Sequence, residues 1–204
     1  MKFCVLTLGC KVNSYESEFI KEKFRDAKYE EVGILEKPDV IIINTCSVTN
    51  QSDAKSRHLI RMARRENGSS IIVVCGCSAE NHRDNLLALG IDILIGNKDK
   101  SKILDLVENY KKSKENYSCF YDMKNVSFED MMLKSESDKT RAFVKIQDGC
   151  DNFCNYCIIP YLRGNLRSKD IDVAEQEITQ LVEMGHSEIV LTGIHTGAYG
   201  RGKD

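Results

Sequence analysis

The sequence predicts an α/β protein in two successive parts: a parallel sheet covered by helices, then the opening of a β/α barrel. Three observations predict it. Runs of four adjacent apolar residues, VIII at 40–43 and IIVV at 71–74, indicate strands buried on both faces, as in a parallel sheet. Amphipathic segments at helical spacing separate the strands, and such alternation builds parallel sheets through right-handed crossovers. After residue 140 a strand, a cysteine-rich loop, a helix and another strand follow. With 204 residues, 42% of them hydrophobic, the chain can bury one large domain or one domain plus part of another.

In order, residues 2–8 (KFCVLTL) read as a short buried strand that Gly9-Cys10 ends. A helix is predicted over about 14–28, with Tyr15, Phe19, Phe24 and Ala27 near one face. Pro38 introduces the strand DVIIINTC, 39–46, closed by Asn44-Thr45-Cys46. A basic helix over about 53–65 carries Lys55, Arg57, Arg61, Arg64 and Arg65, and Asn67-Gly68 stops it. IIVVC, 71–75, is a buried strand ending in Gly76-Cys77. Residues 79–89 read as helix, 91–95 as strand, and 98–111 as a helix carrying Ile103, Leu104, Val107 and Tyr110.

Residues 112–140, rich in Lys, Ser, Glu and Asp and including SESDK at 135–139, read as a linker with a short strand near 117–121. RAFVKIQ, 141–147, alternates as a strand and delivers the cysteine loop. A helix over 171–184 places Ala174, Ile178, Leu181 and Val182 on one face, with Gly185 as its cap. A strand at 187–191 leads into TGIHTGAYG. The expected domains are therefore 1–112, a linker 113–140, and 141–204. A whole barrel needs many more residues, so the chain is expected to be an N-terminal fragment of a longer protein.

The formal net charge of −2 carries no electrostatic signature of nucleic-acid binding for the chain as a whole. No apolar run of about 18 residues and no signal peptide occur, so a soluble cytoplasmic protein without membrane contact is expected. Nine cysteines, an odd number in a long chain of this character, fit metal ligation better than a disulfide framework.

Cys150, Cys154 and Cys157 form C-x3-C-x2-C. Three thiolates on one loop can hold three corners of an iron–sulfur cubane, which normally takes four. The remaining iron is then open to a substrate or cofactor. A zinc knuckle needs a fourth ligand close by, and the next histidine is His186. Separately, Cys10, Cys46 and Cys77 each follow the C-terminal end of a predicted strand, with 35 and 30 residues between them. In open α/β sheets those ends share one edge, where ligands bind. The three thiols can converge there, or be loop thiols with no shared ligand. Cys4 and Cys75, inside strands, read as packing residues, and Cys119 as structural.

Taken together, the two halves resemble the methylthiotransferases, which are two-cluster radical S-adenosylmethionine (SAM) enzymes. The resemblance covers essentially all 204 residues, through TLGCKVNSYESE (7–18), NTCSVT (44–49), VCGCSAE (74–80) and DGCDNFCNYCIIPYLRGNLRS (148–168). It implies a Rossmann-like N-terminal methylthiotransferase domain followed by a partial radical SAM barrel, and two [4Fe-4S] clusters with SAM as cofactors. Cys150, Cys154 and Cys157 would hold the cluster whose open iron chelates SAM, and Cys10, Cys46 and Cys77 the auxiliary cluster. Tyr156 would line SAM's adenine, mainly through its backbone, and Gly193 would approach SAM's amino group. No catalytic side chain is assigned.

GCKVN with NTCSVTNQSDAKSR looks like the branch acting on N6-threonylcarbamoyladenosine in tRNA; the isopentenyladenosine branch typically reads GCQMN and the ribosomal-protein branch GCPKN. The resemblance thus implies that a radical made from SAM takes hydrogen from C2 of the adenine next to the anticodon, and that a methylthio group from the auxiliary cluster replaces it. The implied partners are a tRNA anticodon loop and a reductant such as flavodoxin or ferredoxin. The alternatives are methylthiolation of isopentenyladenosine, a non-catalytic iron–sulfur module, and a zinc-stabilised RNA-binding module. YLRGNLRSK departs from the family's usual RGRxRSR, so Arg163 and Arg167 stand either as phosphate or cofactor contacts or as a solvated basic loop. The basic helix reads as a tRNA-backbone contact or a solvated face. His58, His82, His186 and His195 show no ligand spacing and read as structural.

Overall fold

The first strand, β1 (Lys2–Thr7), has parallel neighbours on both sides: β2 (Glu30–Glu31) and β3 (Val40–Thr45). From β3 the sheet grows outward in chain order through β4 (Ile71–Gly76), β5 (Ile93–Ile95) and β6 (Tyr117–Cys119), all parallel. The order β2-β1-β3-β4-β5-β6 is that of a doubly wound sheet, whose crevice lies where the order reverses, between β1 and β3. The computed structural model describes residues 1–134 and 141–201. They fall into two units, Met1–Tyr121 and Asp122–Asp204.

The apolar runs divide their side chains between two cores. Val40, Ile42, Val73 and Cys75 face helix α1 (Lys11–Asp26) through Ile20 and Phe24, and α5 (Ile103–Ser113) through Ile103 and Val107. Ile41, Ile43, Ile72 and Val74 face α2 (Asn50–Glu66) through Ile60 and Ala63, and the short helices α3 (Cys77–Asn81) and α4 (Arg83–Leu87) through Ala79 and Leu86. Burial on both faces is what a continuous apolar strand needs, as the sequence predicts. Tyr15, Phe19 and Phe24 are buried on α1, whereas Ala27 is its exposed C-terminal cap.

Some predicted elements are divided. The helix expected over 79–89 breaks at His82, whose backbone (φ −128°, ψ 36°) leaves the helical range and whose ring nitrogen Nε2 lies 2.9 Å from an Asp53 carboxylate oxygen. The helix expected over 98–111 begins as a 3-10 turn, Lys100–Lys102, after Asp99 adopts a left-handed conformation.

In the second unit β7 (Arg141–Lys145) pairs in parallel with β10 (Glu188–Thr192), and α7 (Ile171–Glu183) buries Ala174 and Leu181. β8 (Gln147–Asp148) pairs antiparallel with β9 (Arg167–Ser168), and α6 (Ile159–Arg163) lies between them in sequence. The strand expected over 141–147 therefore changes partner at Ile146. Its N–H donates to the Thr192 carbonyl at 2.9 Å, and its carbonyl accepts from the Lys169 N–H at 2.8 Å. Among its described residues, the stretch expected as a linker packs onto the two units: β6 completes the first sheet, and Met123, Met131 and Leu133 are buried. SESDK lies outside the described residues.

Candidate metal centres at two sets of cysteines

Three adjacent strands of the first sheet each end in a cysteine. Cys10 caps the N-terminus of α1 after β1, Cys46 follows β3, and Cys77 opens α3 after β4. Thr7 is in register with Asn44, and Asn44 with Cys75, so the three strand ends lie along one edge. Cys10 and Cys46 flank the topological switch point, where doubly wound sheets bind ligands. Cys10 is exposed, and Cys46 and Cys77 are buried. Two glycines let the turns come this close. A side-chain carbon on Gly9 (φ +113°) would stand 3.1 Å from the Cys46 sulfur. One on Gly76 (φ +98°) would stand 2.5 Å from the Thr45 carbonyl oxygen. Only glycine meets both the backbone angle and the spacing.

A polar layer under this edge holds the turns. Asn13 donates through Nδ2 to the carbonyls of Leu8 (2.7 Å) and Thr45 (2.9 Å), just upstream of Cys10 and Cys46. Asp53 on α2 accepts from Ser47 (2.9 Å) and from Ser78 (2.8 Å), the residues that follow Cys46 and Cys77. His82 Nε2 lies 2.9 Å from the same carboxylate. Deeper, the buried Lys100 reaches Glu16, Asn44 and Asn97, and Asn97 reaches Cys77.

The second set lies on one loop. Cys150 follows Gly149, and its N–H donates to the Gly164 carbonyl at 2.9 Å; the Cys157 N–H donates to the Cys154 carbonyl at 2.9 Å, closing a tight turn. Cys154 is exposed, and Cys150 and Cys157 are partly so. Upstream, Asp148 anchors the loop through Lys145 (2.7 Å), Arg163 (3.0 Å) and Arg167 (3.3 Å). The structure brings His195 of TGIHTG to this loop, with Nδ1 4.0 Å from the Cys150 sulfur and 3.5 Å from Asn152 Nδ2. His195 read as structural in the sequence. Its position just past a strand that ends on the loop's side of the sheet was the available signal.

Among the described residues, no three His, Cys, Asp or Glu side chains are already gathered around one metal-sized point. The donor sets nonetheless fit a thiophilic group. Soft thiolates select iron–sulfur clusters or zinc over hard cations. The other described cysteines stand elsewhere: Cys75 is in the sheet core, Cys119 packs against that core, and burial pushes the Cys4 thiol up to about 11. Among the described residues, each set thus consists of three thiols.

Other sequence-singled residues fall as follows. Tyr156 projects into solvent, 93% exposed. Gly193, directly after β10, sits where a side-chain carbon would come within 2.9 Å of Gln147. Arg163 and Arg167 are not a solvated basic loop, since both turn inward onto Asp148. On α2, Lys55, Arg61 and Arg65 are exposed, but Arg64 binds the carbonyls of Gly68 and Ser70 and the Asp92 carboxylate.

The part of the chain that carries Cys10, Cys46 and Cys77, residues 2–96, matches the model of the uncharacterised protein family UPF0004. Over nearly its whole length the chain is homologous to the MtaB tRNA methylthiotransferases. It is 45% identical over 196 residues to the threonylcarbamoyladenosine tRNA methylthiotransferase MtaB of Bacillus subtilis, covering 95% of this chain and 44% of the relative. Against the MtaB of Aquifex aeolicus it is 37% identical, covering 98% and 49%. Against the tRNA-2-methylthio-N(6)-dimethylallyladenosine synthase of Fervidobacterium nodosum it is 33% identical, covering 98% and 46%. The chain thus spans a little under half the length of these relatives. No helix among the described residues is long and apolar enough to cross a membrane.

Proposed function

We propose that this chain is the N-terminal part of a radical SAM tRNA methylthiotransferase acting at C2 of N6-threonylcarbamoyladenosine beside the anticodon. The observation that carries the reading is the row of Cys10, Cys46 and Cys77 along one sheet edge at the switch point, in a chain with a second three-thiol loop. Cys10, Cys46 and Cys77 would hold an auxiliary [4Fe-4S] cluster, and Cys150, Cys154 and Cys157 the cluster that binds SAM, with Tyr156 and Gly193 beside SAM. When bound, these groups supply reductive activation of SAM at the loop and sulfur at the sheet edge.

The chain's own residues prepare the two places. Gly9 and Gly76 keep side chains out of the first turn cluster, and Asp53 braces the two serines behind Cys46 and Cys77. Asp148 and its three cations fix the start of the second loop. Lys55 and Arg61 present charge to tRNA phosphates, which supply most of such affinity, while the target base lies in an unpaired loop where it can be splayed out. A cytoplasmic setting with a flavodoxin or ferredoxin as reductant completes the proposal, and the units Met1–Tyr121 and Asp122–Asp204 act as its two functional domains.

The test is nucleoside analysis of tRNA from cells that lack both adenosine methylthiotransferases and express the full-length protein. Methylthio-threonylcarbamoyladenosine is expected, and it should vanish with Cys46→Ala. Appearance of only the methylthio-isopentenyl nucleoside would reassign the substrate, and neither product would overturn the function. Anaerobic iron and sulfide loading of the chain should give about eight of each, falling to about four when Cys150, Cys154 and Cys157 are all alanine.

A further inference from the structure

The polar layer beneath the first cysteine set contains a buried ion pair that stability alone does not explain. Lys100 and Glu16 have no exposed side-chain surface, and they form a direct pair. Exchanging such a pair for apolar residues of similar volume is often neutral or stabilising. What the pair does locally is fix an amide. Lys100 Nζ lies 3.3 Å from Asn44 Oδ1 and 3.2 Å from Asn97 Oδ1. An ammonium only donates, so the oxygen of the Asn97 amide must face Lys100. The amide NH2 is then turned to the Cys77 sulfur, 3.6 Å away. Asn97 and Cys77 are 4% and 2% exposed, so water competes little for either group.

We infer that Lys100 and Asn97 are a positioning pair that aims an N–H donor at the Cys77 sulfur and thereby raises the reduction potential of a cluster bound at Cys10, Cys46 and Cys77. The inference rests on the proposed role of these cysteines as cluster ligands. A donor at a ligating sulfur offsets negative charge, and the reduced cluster, which carries more of it, gains more. Glu16 holds the ammonium in place, and Asn44 ties it to Asn13 and Ser17 through Nδ2 contacts of 3.1 Å each. The cation that orients the donor is thus itself fixed by the elements that carry Cys10 and Cys46.

The test is an EPR-monitored redox titration of the chain in which Cys150, Cys154 and Cys157 are all alanine, so that only the sheet-edge cluster loads. Asn97→Ala should load about four irons, as the parent does, but titrate at a more negative potential. Lys100→Met combined with Glu16→Gln removes the pair without leaving a lone buried charge, and should shift the potential the same way. An unchanged potential in fully loaded Asn97→Ala overturns the inference while leaving the cluster assignment intact. A shift in Asn97→Ala without one in the double variant overturns the part given to Lys100. A parent that loads no cluster overturns the assignment of the cysteines and the inference with it.

Discussion

Arg163 is wholly buried and holds its Nη1 3.0 Å from Oδ1 of Asp148, at the root of the Cys150 loop. Lys145 and Arg167 share the other carboxylate oxygen, at 2.7 and 3.3 Å. Burial by itself would push the Asp148 carboxyl up, but the three cations outweigh it and hold it well below the usual carboxylate range. A carboxylate depressed in the folded state lends stability above its unfolded pKa, and that stability drains as pH falls toward the folded value. Urea unfolding of the wild type should therefore weaken progressively below about pH 4. Asp148→Asn strands the cations, so it should cost about 3–5 kcal/mol at pH 7 and show a flatter acid limb. An acid profile identical to wild type would show that Asp148 does not carry the effect.

Alkylation separates the cysteines by environment. In reduced, metal-free protein at pH 8, iodoacetamide should reach Cys10 and Cys154 first, because both are exposed. Cys4 is held up at about 11 by burial and then by Glu31, and Cys75 is fully buried, so both should react only after unfolding. Peptide mapping over time gives the order. Labelling of Cys4 as fast as Cys154 would contradict the packing of the first strand.

The arginines of α2 should not behave alike. Arg64 closes the turn after its own helix and pairs with Asp92 at 2.7 Å, so Arg64→Ala should cost about 1–3 kcal/mol of stability. It should leave the salt dependence of tRNA binding by the full-length protein unchanged. Lys55→Ala and Arg61→Ala should each alter stability by less than about 0.5 kcal/mol. Each should lower the slope of log affinity against log salt by about one. Filter binding across a potassium chloride series distinguishes them, and equal slopes in all three variants would remove α2 from the RNA contact.

Strands were legible in the sequence because a parallel sheet buried on both faces leaves a local mark: VIII and IIVV cannot sit half in water. The cysteines of the sheet edge were legible through the strands, since Cys46 and Cys77 directly follow β3 and β4 and Cys10 stands three residues after β1. What escaped was charge turned inward. Lys100 and Glu16 are 84 residues apart, and nothing near Lys100 marks it as buried rather than as a helix-surface lysine. Arg163 and Arg167 look like a basic loop until Asp148 is brought beneath them by the antiparallel pairing of β8 and β9. Asp53 reads as an ordinary first-turn acid, and only the tertiary fold gives it two serines and a histidine. Such partnerships depend on contacts distant in sequence, which local periodicity does not record.

The strand order also sets a timetable. From β3 onward, every new strand is laid beside the one made before it, so the sheet can lengthen in the order of synthesis without waiting for a later segment to be inserted. The three edge cysteines are all present by residue 77, some seventy residues ahead of Cys150. A nascent chain therefore has its first sulfur-bearing edge to hand while the loop that carries the second is still unmade.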